Sequence, residues 1–304
     1  MDETDIAISL MLLTNSRTPY RVLAGRLKLS VNAVHKRIQA MIEAGIIRGF
    51  TARPNLFIAG ALNVYIFGFA RAEPLRELPS KLSKNDSVYW VAQAGSAYIY
   101  VGAYVRGLNE LSSVSDFIRK TADMPNPTVG IIDFGANINY QPRDILDTLD
   151  WQIISALSKD SRKPIADVAQ ELNTSVKTIR RHLNTMIKRN LIELSIKWYP
   201  DASDDIISIF HTKPSNEAKV NSAELHKKYG PSLLYHLNFS NLPDEHILVT
   251  WTRTMKELKE LKEKIENDPN FRSTTMNILY TGDIFPTWVE TSPSRMGWPT
   301  NSEK

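Results

Sequence analysis

The stretch Leu29–Ile47, LSVNAVHKRIQAMIEAGII, has a counterpart later in the same chain, where residues 173–192 read NTSVKTIRRHLNTMIKRNLI. A shift of 145 positions aligns the surrounding segments without a gap, so that Asp5 falls on Asp150, Ser16 on Ser161 and Pro19 on Pro164. A match of this length indicates an internal duplication, and its period is too long for a solenoid repeat. The sequence therefore predicts two copies of one unit.

The start of each copy has the pattern of a helix-turn-helix. Apolar residues recur at helical spacing through two short helices and a longer third one, which Ser30 caps in the first copy and Ser175 in the second. Gly45 and Asn190 follow the third helices, and both residue types tolerate the left-handed conformation that ends many helices. An alternating strand follows and would form a wing. The third helix of such a unit fits the major groove of DNA.

The residues on and around the polar face of each third helix are candidate DNA contacts. Arginine and lysine suit guanine, and asparagine suits adenine. From residue 176 to 190 the second copy carries five Lys and Arg and no acid, so we expect it to bind the phosphate backbone of DNA more tightly than the first copy does. The candidates are Ser30, Asn32, Ala33, His35, Lys36, Arg37, Ser175, Lys177, Thr178, Arg180, Arg181 and His182.

Composition limits the classes of function. The 304 residues are 42% hydrophobic, without an apolar run long enough to span a membrane, and the first ten residues carry acids where a signal peptide needs bases. No cysteine is present, which excludes disulfides, thiolate metal sites and cysteine nucleophiles. We expect a cytoplasmic protein. Residues 1–55 hold 8 Lys and Arg against 4 Asp and Glu, and residues 144–199 hold 9 against 7, so positive charge collects in the two repeated segments.

A second pattern follows each helix-turn-helix. Strand and helix signals alternate in the order βαββαβ, which is the ferredoxin-like pattern. In residues 97–105, AYIYVGAYV, aliphatic side chains alternate with tyrosines, so both faces of this strand are apolar. Helices can cover only one face of such a sheet. We therefore expect a second sheet, in the same chain or in another chain, to cover the other face.

The sequence thus predicts an α+β fold in which two winged helix-turn-helix domains alternate with two ferredoxin-like βαββαβ domains. The expected boundaries are a winged helix-turn-helix at 1–55, a ferredoxin-like effector and assembly module at 60–136, a linker at 137–147, a second winged helix-turn-helix at 148–200, a second ferredoxin-like module at 204–283 and a tail at 284–304.

The first copy resembles the Lrp/AsnC (feast/famine) family of transcription regulators. The resemblance rests on the Asp5 start, Asn15-Ser16-Arg17, Arg37-Ile38, Gly45-Ile46-Ile47 and the strand–Gly95–strand element. It implies a DNA-binding transcription regulator whose partners are double-stranded DNA and a small effector such as an amino acid, with no catalytic residue, metal or cofactor. It also implies assembly through the sheet modules, so that two fused units make an intrachain pseudo-dimer or a homodimer.

The same resemblance places effector binding at the turn between the middle strands. Gly95 and Ser96 occupy that turn in the first copy. In the second copy, residues 240–244 form a longer turn without glycine. The resemblance accordingly implies an effector site in the first copy, at Gly95 and Ser96.

Two other functions stay open at the level of sequence. Siroheme decarboxylases share the two-module architecture, and an enzyme of that kind would use histidines to hold a carboxylate-rich tetrapyrrole. The candidates for that role are His211, His226, His236 and His246. The basic second copy also suits a nonspecific architectural binder that coats DNA without reading its sequence.

Overall fold

The computed structural model describes residues 1–95, 97–133, 146–215 and 220–291. Its contacts divide the chain into two units. The head unit contains residues 7–61, 146–199 and 286–291, and the sheet unit contains residues 1–6, 62–95, 97–133, 200–215 and 220–285. In chain order the elements are α1 Glu3–Thr14, α2 Tyr20–Leu27, α3 Val31–Glu43, β1 Ile47–Pro54, β2 Leu62–Phe69, α4 Leu78–Leu82, β3 Val88–Ala94, β4 Tyr98–Val105, α5 Leu108–Thr121, β5 Thr128–Ile131, α6 Thr148–Leu157, α7 Ile165–Glu171, α8 Val176–Lys188, β6 Ile192–Trp198, β7 Ile206–Pro214, α9 Ser222–Tyr229, β8 Leu233–Asn238, β9 His246–Thr252, α10 Met255–Glu266, β10 Phe271–Ile284 and α11 Trp288–Thr291.

The turn between the second and third helices has the same backbone shape in both copies. Lys28 and Asn173, which are 145 positions apart, both adopt the left-handed conformation, with φ of 56° and 48°. This conformation lets the chain reverse between two helices within a few residues. Gly45 and Asn190 also have positive φ, 72° and 54°, which confirms the predicted helix ends.

The strand that follows each third helix pairs with the equivalent strand of the other copy. β1 and β6 run antiparallel, and Phe50 and Thr51 lie opposite Ile196 and Ser195. Because β1 crosses to the second copy, Ala52 is buried in the core of helices α6 to α8. The wing strands expected from the sequence are therefore present, and they join the two copies in one sheet.

A second contact between the copies lies beside this sheet. The buried Ser16 and Ser161 hydroxyls, which belong to equivalent positions, lie 2.6 Å apart. Arg17 donates to the Ser161 carbonyl at 2.5 Å, and Arg162 donates to the Ser16 carbonyl at 2.6 Å. Burial lowers the pKa of both guanidinium groups. These reciprocal contacts relate the two copies by an approximate two-fold axis within a single chain.

The sheet unit contains two four-stranded sheets that share their edges. The strand order is β5-β2-β4-β3-β10-β7-β9-β8, and the first four strands and the last four each have the ferredoxin-like arrangement. Strand β10 connects the halves because residues up to Ile278 pair with β7, and residues from Leu279 pair with β3. At the other end, Ile132 bridges to Phe239.

Two kinds of core lie on the faces of these sheets. Helices cover the outer faces, where Ile99, Val101 and Val105 of β4 are buried. The inner faces enclose an aromatic core that includes Phe67 and Tyr100 from the first module and Phe239 from the second. The prediction that another sheet covers the aromatic face of β4 is confirmed, and the covering sheet belongs to the same chain.

The chain after residue 284 includes a short described helix. Helix α11 packs against β1, with Trp288 buried and Glu290 at 3.3 Å from Arg53. Residues 292–304, and most of the predicted linker at 137–147, lie outside the described residues. In the part of the chain that the structure covers, each helix is too short or too polar to cross a membrane.

Candidate nucleic-acid interface

Both third helices, α3 and α8, begin at a serine whose side chain caps the helix. Ser30 Oγ accepts a hydrogen bond from the Ala33 amide at 3.1 Å, and Ser175 Oγ accepts one from the Thr178 amide at 3.0 Å. The apolar stripe of each helix is buried and fixes its rotation about its own axis. The buried residues are Val34, Ile38 and Met41 in α3, and Ile179, Leu183 and Met186 in α8.

The first copy presents a mixed polar surface on α3. Asn32, His35 and Lys36 are exposed, whereas Ala33 and Arg37 are half-buried. The His35 ring contacts the ring of Tyr20 on α2 edge-on, with centroids 5.7 Å apart. This surface can donate and accept hydrogen bonds, which suits reading of base edges.

The second copy presents a more cationic surface on α8. Lys177, Arg180 and Arg181 are exposed, and Thr178 is half-buried with its hydroxyl 2.8 Å from Ser175 Oγ. His182, by contrast, is half-buried, and its Nδ1 lies 2.7 Å from Asp150 Oδ1. The ring therefore ties α8 to α6.

Asp150 also has a structural role of its own. It forms a capping box with Asp147 at the start of α6, in which each carboxylate accepts from the amide of the other residue. Asp147, Asp150 and His182 are close enough together to hold a cation. The capping bonds use Asp147 Oδ1 and Asp150 Oδ2, and the histidine contact uses Asp150 Oδ1 and His182 Nδ1.

The second helix of the first copy carries a set of cations that the sequence patterns did not predict as DNA contacts. Arg21 and Arg26 of α2 are exposed, as is Lys28 in the turn after it. The second copy has the opposite charge here, since Glu171 stands at the position equivalent to Arg26. The helix that precedes the recognition helix crosses the phosphate backbone, so the first copy can contact phosphates through α2. The repeat alignment carries this signal as a reversal of charge between Arg26 and Glu171.

The predicted effector turn lies against the second module. Gly95 has φ of 53°, which favours glycine, and its amide donates to the Ile278 carbonyl at 3.2 Å. Ser96 lies outside the described residues. In the corresponding turn of the second copy, the Asn241 side chain accepts from the Ile131 amide at 2.8 Å and donates to the Val129 carbonyl at 2.9 Å. That turn thus holds the two modules together.

A polar chain crosses the aromatic core between the modules. The Tyr100 hydroxyl lies 2.8 Å from His211 Nε2 and accepts from the Asn277 amide at 2.8 Å. His211 Nδ1 in turn lies 2.6 Å from a Glu245 carboxylate oxygen. Burial raises the pKa of the Tyr100 hydroxyl, so this hydroxyl stays protonated. Among these hydrogen-bonded residues, the sequence predicts a binding role only for His211, which is a basic residue in an apolar strand.

The other candidate histidines form a separate cluster on the outer face of the second module. His236 Nε2 lies 2.8 Å from His246 Nδ1, and His236 Nδ1 lies 2.7 Å from the Ser222 hydroxyl. Burial and the neighbouring His246 lower the pKa of His236 to about 4. His226 is exposed on α9, and its Nδ1 lies 2.8 Å from the Ser222 carbonyl oxygen. His211 therefore does not join these three residues in one site.

Comparison with known proteins matches the two copies to one family and the whole chain to one fold. The family of winged helix-turn-helix DNA-binding domains matches residues 1–48 and again residues 146–193. The HTH-type transcriptional regulator LysM of Sulfurisphaera tokodaii is 31% identical over 139 residues, which is 45% of this chain and 94% of LysM. LysM of Saccharolobus solfataricus is 31% identical over 138 residues, which is 45% of this chain and 92% of that protein.

Among solved structures, the siroheme decarboxylase NirDL is similar along nearly the whole chain. The TM-score is 0.58 at 13% identity, and the match covers 96% of this chain and 97% of that one. At this identity the similarity concerns the fold. It shows that the order of two heads and two sheet modules along one chain also occurs in a solved protein.

Proposed function

Since the chain belongs to the Lrp/AsnC family of transcription regulators, we propose that it binds double-stranded DNA with both recognition helices, at an operator whose two half-sites differ in sequence. The observation that carries the proposal is the reciprocal junction of Ser16, Arg17, Ser161 and Arg162, which pairs two helix-turn-helix units within one chain. In a homodimer the two recognition helices have identical sequences. A fused pair can diverge, and these two have diverged.

The two helices differ at the positions that face away from the core. His35 and Lys36 of α3 correspond to Arg180 and Arg181 of α8. We expect the half-sites to lie one helical turn or a multiple of it apart, as in other paired helix-turn-helix proteins. The residues proposed to contact DNA are Ser30, Asn32, Ala33, His35, Lys36, Arg37, Ser175, Lys177, Thr178, Arg180, Arg181 and His182, together with the backbone-facing Arg21, Arg26 and Lys28.

The proposal also covers the setting in which the protein works. A small effector, such as an amino acid, would bind at Gly95 and Ser96, and the protein would act in the cytoplasm without a catalytic step. The Tyr100 and His211 side chains lie between the same two modules, and Asn277, which donates to the Tyr100 hydroxyl, lies next to Gly95.

Selection from a random DNA pool across a series of salt concentrations tests the proposal. We expect an enriched motif with two unequal halves. Replacing both Arg180 and Arg181 by alanine should weaken binding and reduce the slope of log K against log salt by about 2, since each phosphate contact contributes about 0.9.

The matched control removes two exposed lysines from helix α10 of the sheet unit, Lys256 and Lys259, and should leave the slope unchanged. Salt-steep binding without any enriched motif would support the architectural binder instead. Failure to bind DNA even at low salt would reject the proposed function.

The hydrogen-bonded series of buried Tyr100 with half-buried His211 and Glu245 favours one second candidate, an enzyme of the siroheme decarboxylase type, because such a series can move a proton. Titration of the purified protein with sirohaem distinguishes the two functions. A shift of the sirohaem absorbance that is lost in His211→Gln would favour the enzyme, and an unshifted spectrum would count against it.

A further inference from the structure

Each recognition helix begins with an exposed valine. Val31 is the first residue of α3 and Val176 is the first residue of α8, and their side chains are 46% and 38% exposed. Valine is a weaker helix former than alanine, and an exposed isopropyl group gains little from folding. Helix formation and core packing therefore do not explain a valine at this position.

The surroundings of the two valines differ, whereas the valines themselves are the same. Beside Val31 stand Asn32 and His35, and beside Val176 stand Lys177 and Arg180. The polar positions have thus changed between the copies while the Ser-Val start has not. The serine is explained by its capping bond, so the valine remains to be explained.

The position of the valines points to the major groove. The first turn of a recognition helix lies nearest to the base edges. The base-pair edges in that groove carry one methyl group, the 5-methyl group of thymine, which makes apolar contacts with small side chains. An exposed branched apolar side chain at the first helical position is the complement of that methyl group.

Building on the proposed function, we infer that Val31 and Val176 each contact the 5-methyl group of a thymine. The operator therefore contains one thymine at an equivalent place in each half-site, although its other base pairs differ between the halves. Synthetic DNA lacks 5-methylcytosine, so thymine is the source of the methyl group in the test.

Replacing thymine by deoxyuridine removes the methyl group and leaves every hydrogen-bonding atom in place. The probe is the operator recovered from the random pool, with each thymine replaced in turn by deoxyuridine. We expect one replacement per half-site to weaken binding about fourfold, which is the value of one buried methyl group. Val31→Ala should reduce this effect in one half-site only, and Val176→Ala in the other half-site only, because alanine keeps only one of the carbon atoms that reach the thymine methyl.

Val22 provides the matched control, because it is also an exposed valine, at 36%, but lies on α2. Val22→Ala should keep both deoxyuridine effects. Specific DNA binding with no effect of deoxyuridine at any position would overturn this inference and leave the proposed function standing. Effects that persist unchanged in Val31→Ala and Val176→Ala would also overturn it. Absence of DNA binding would reject the proposed function and this inference with it.

Discussion

The paired hydroxyls of Ser16 and Ser161 allow a sharp test of the junction between the two copies. Both side chains are fully buried, and their oxygens lie 2.6 Å apart. Changing one serine to alanine removes the hydrogen bond and leaves the other hydroxyl buried without a hydrogen-bond partner, which costs about 1–3 kcal/mol. Changing both removes the two polar groups together, which can be nearly neutral. Because both single costs disappear in the double variant, we expect a coupling free energy of at least about 2 kcal/mol between the two substitutions.

Urea unfolding of Ser16→Ala, Ser161→Ala and the double variant provides the free energies. Hydrogen exchange in peptides from β1 and β6 reports on the head unit alone. As a control, Ser16→Ala combined with Thr185→Ala should be additive, since Thr185 is exposed on α8 and bonds only within its own helix.

Additive effects of Ser16→Ala and Ser161→Ala would refute the junction. The unfolding midpoint supplies a second criterion. An intrachain junction gives a midpoint that does not depend on protein concentration, whereas a junction between two chains gives one that rises with concentration.

Two further predictions concern the sheet unit. A methyl group on Gly130 would overlap the Phe239 ring in the aromatic core, so Gly130→Ala should lower the free energy of unfolding by about 1–3 kcal/mol. The control is Gly25→Ala, in an open position of helix α2 in the head unit, which should raise the free energy of unfolding by up to about 1 kcal/mol. Urea unfolding measures both changes. His236 binds a proton near pH 6.5 when unfolded but only near pH 4 when folded, so its contribution lowers stability as pH falls from 6.5 to 4. His236→Gln should therefore flatten the pH dependence of the thermal midpoint in that window, and an equal slope in the unchanged protein and the variant would contradict the assignment.

The amino-acid sequence by itself determined the helices, the strands and the internal duplication. Serine before an apolar helical stripe predicted the caps at Ser30 and Ser175, and both are present. Glycine and asparagine predicted the left-handed ends at Gly45 and Asn190 because few other residues adopt that conformation without cost. The two-sided apolar pattern of β4 predicted a second sheet, because an aromatic face cannot stay in water.

Tertiary structure decided which partner each of these elements has. The alternating pattern of β1 predicts a strand but carries no information about its partner, and only the fold places β6 beside it. The sequence predicts His182 as a DNA contact from its position on α8, and only the fold shows that Asp150 lies 2.7 Å from its ring. Tyr100 and His211 are 111 residues apart and meet only because two sheets close on each other. Such contacts depend on long-range packing, which periodicity and propensity do not encode.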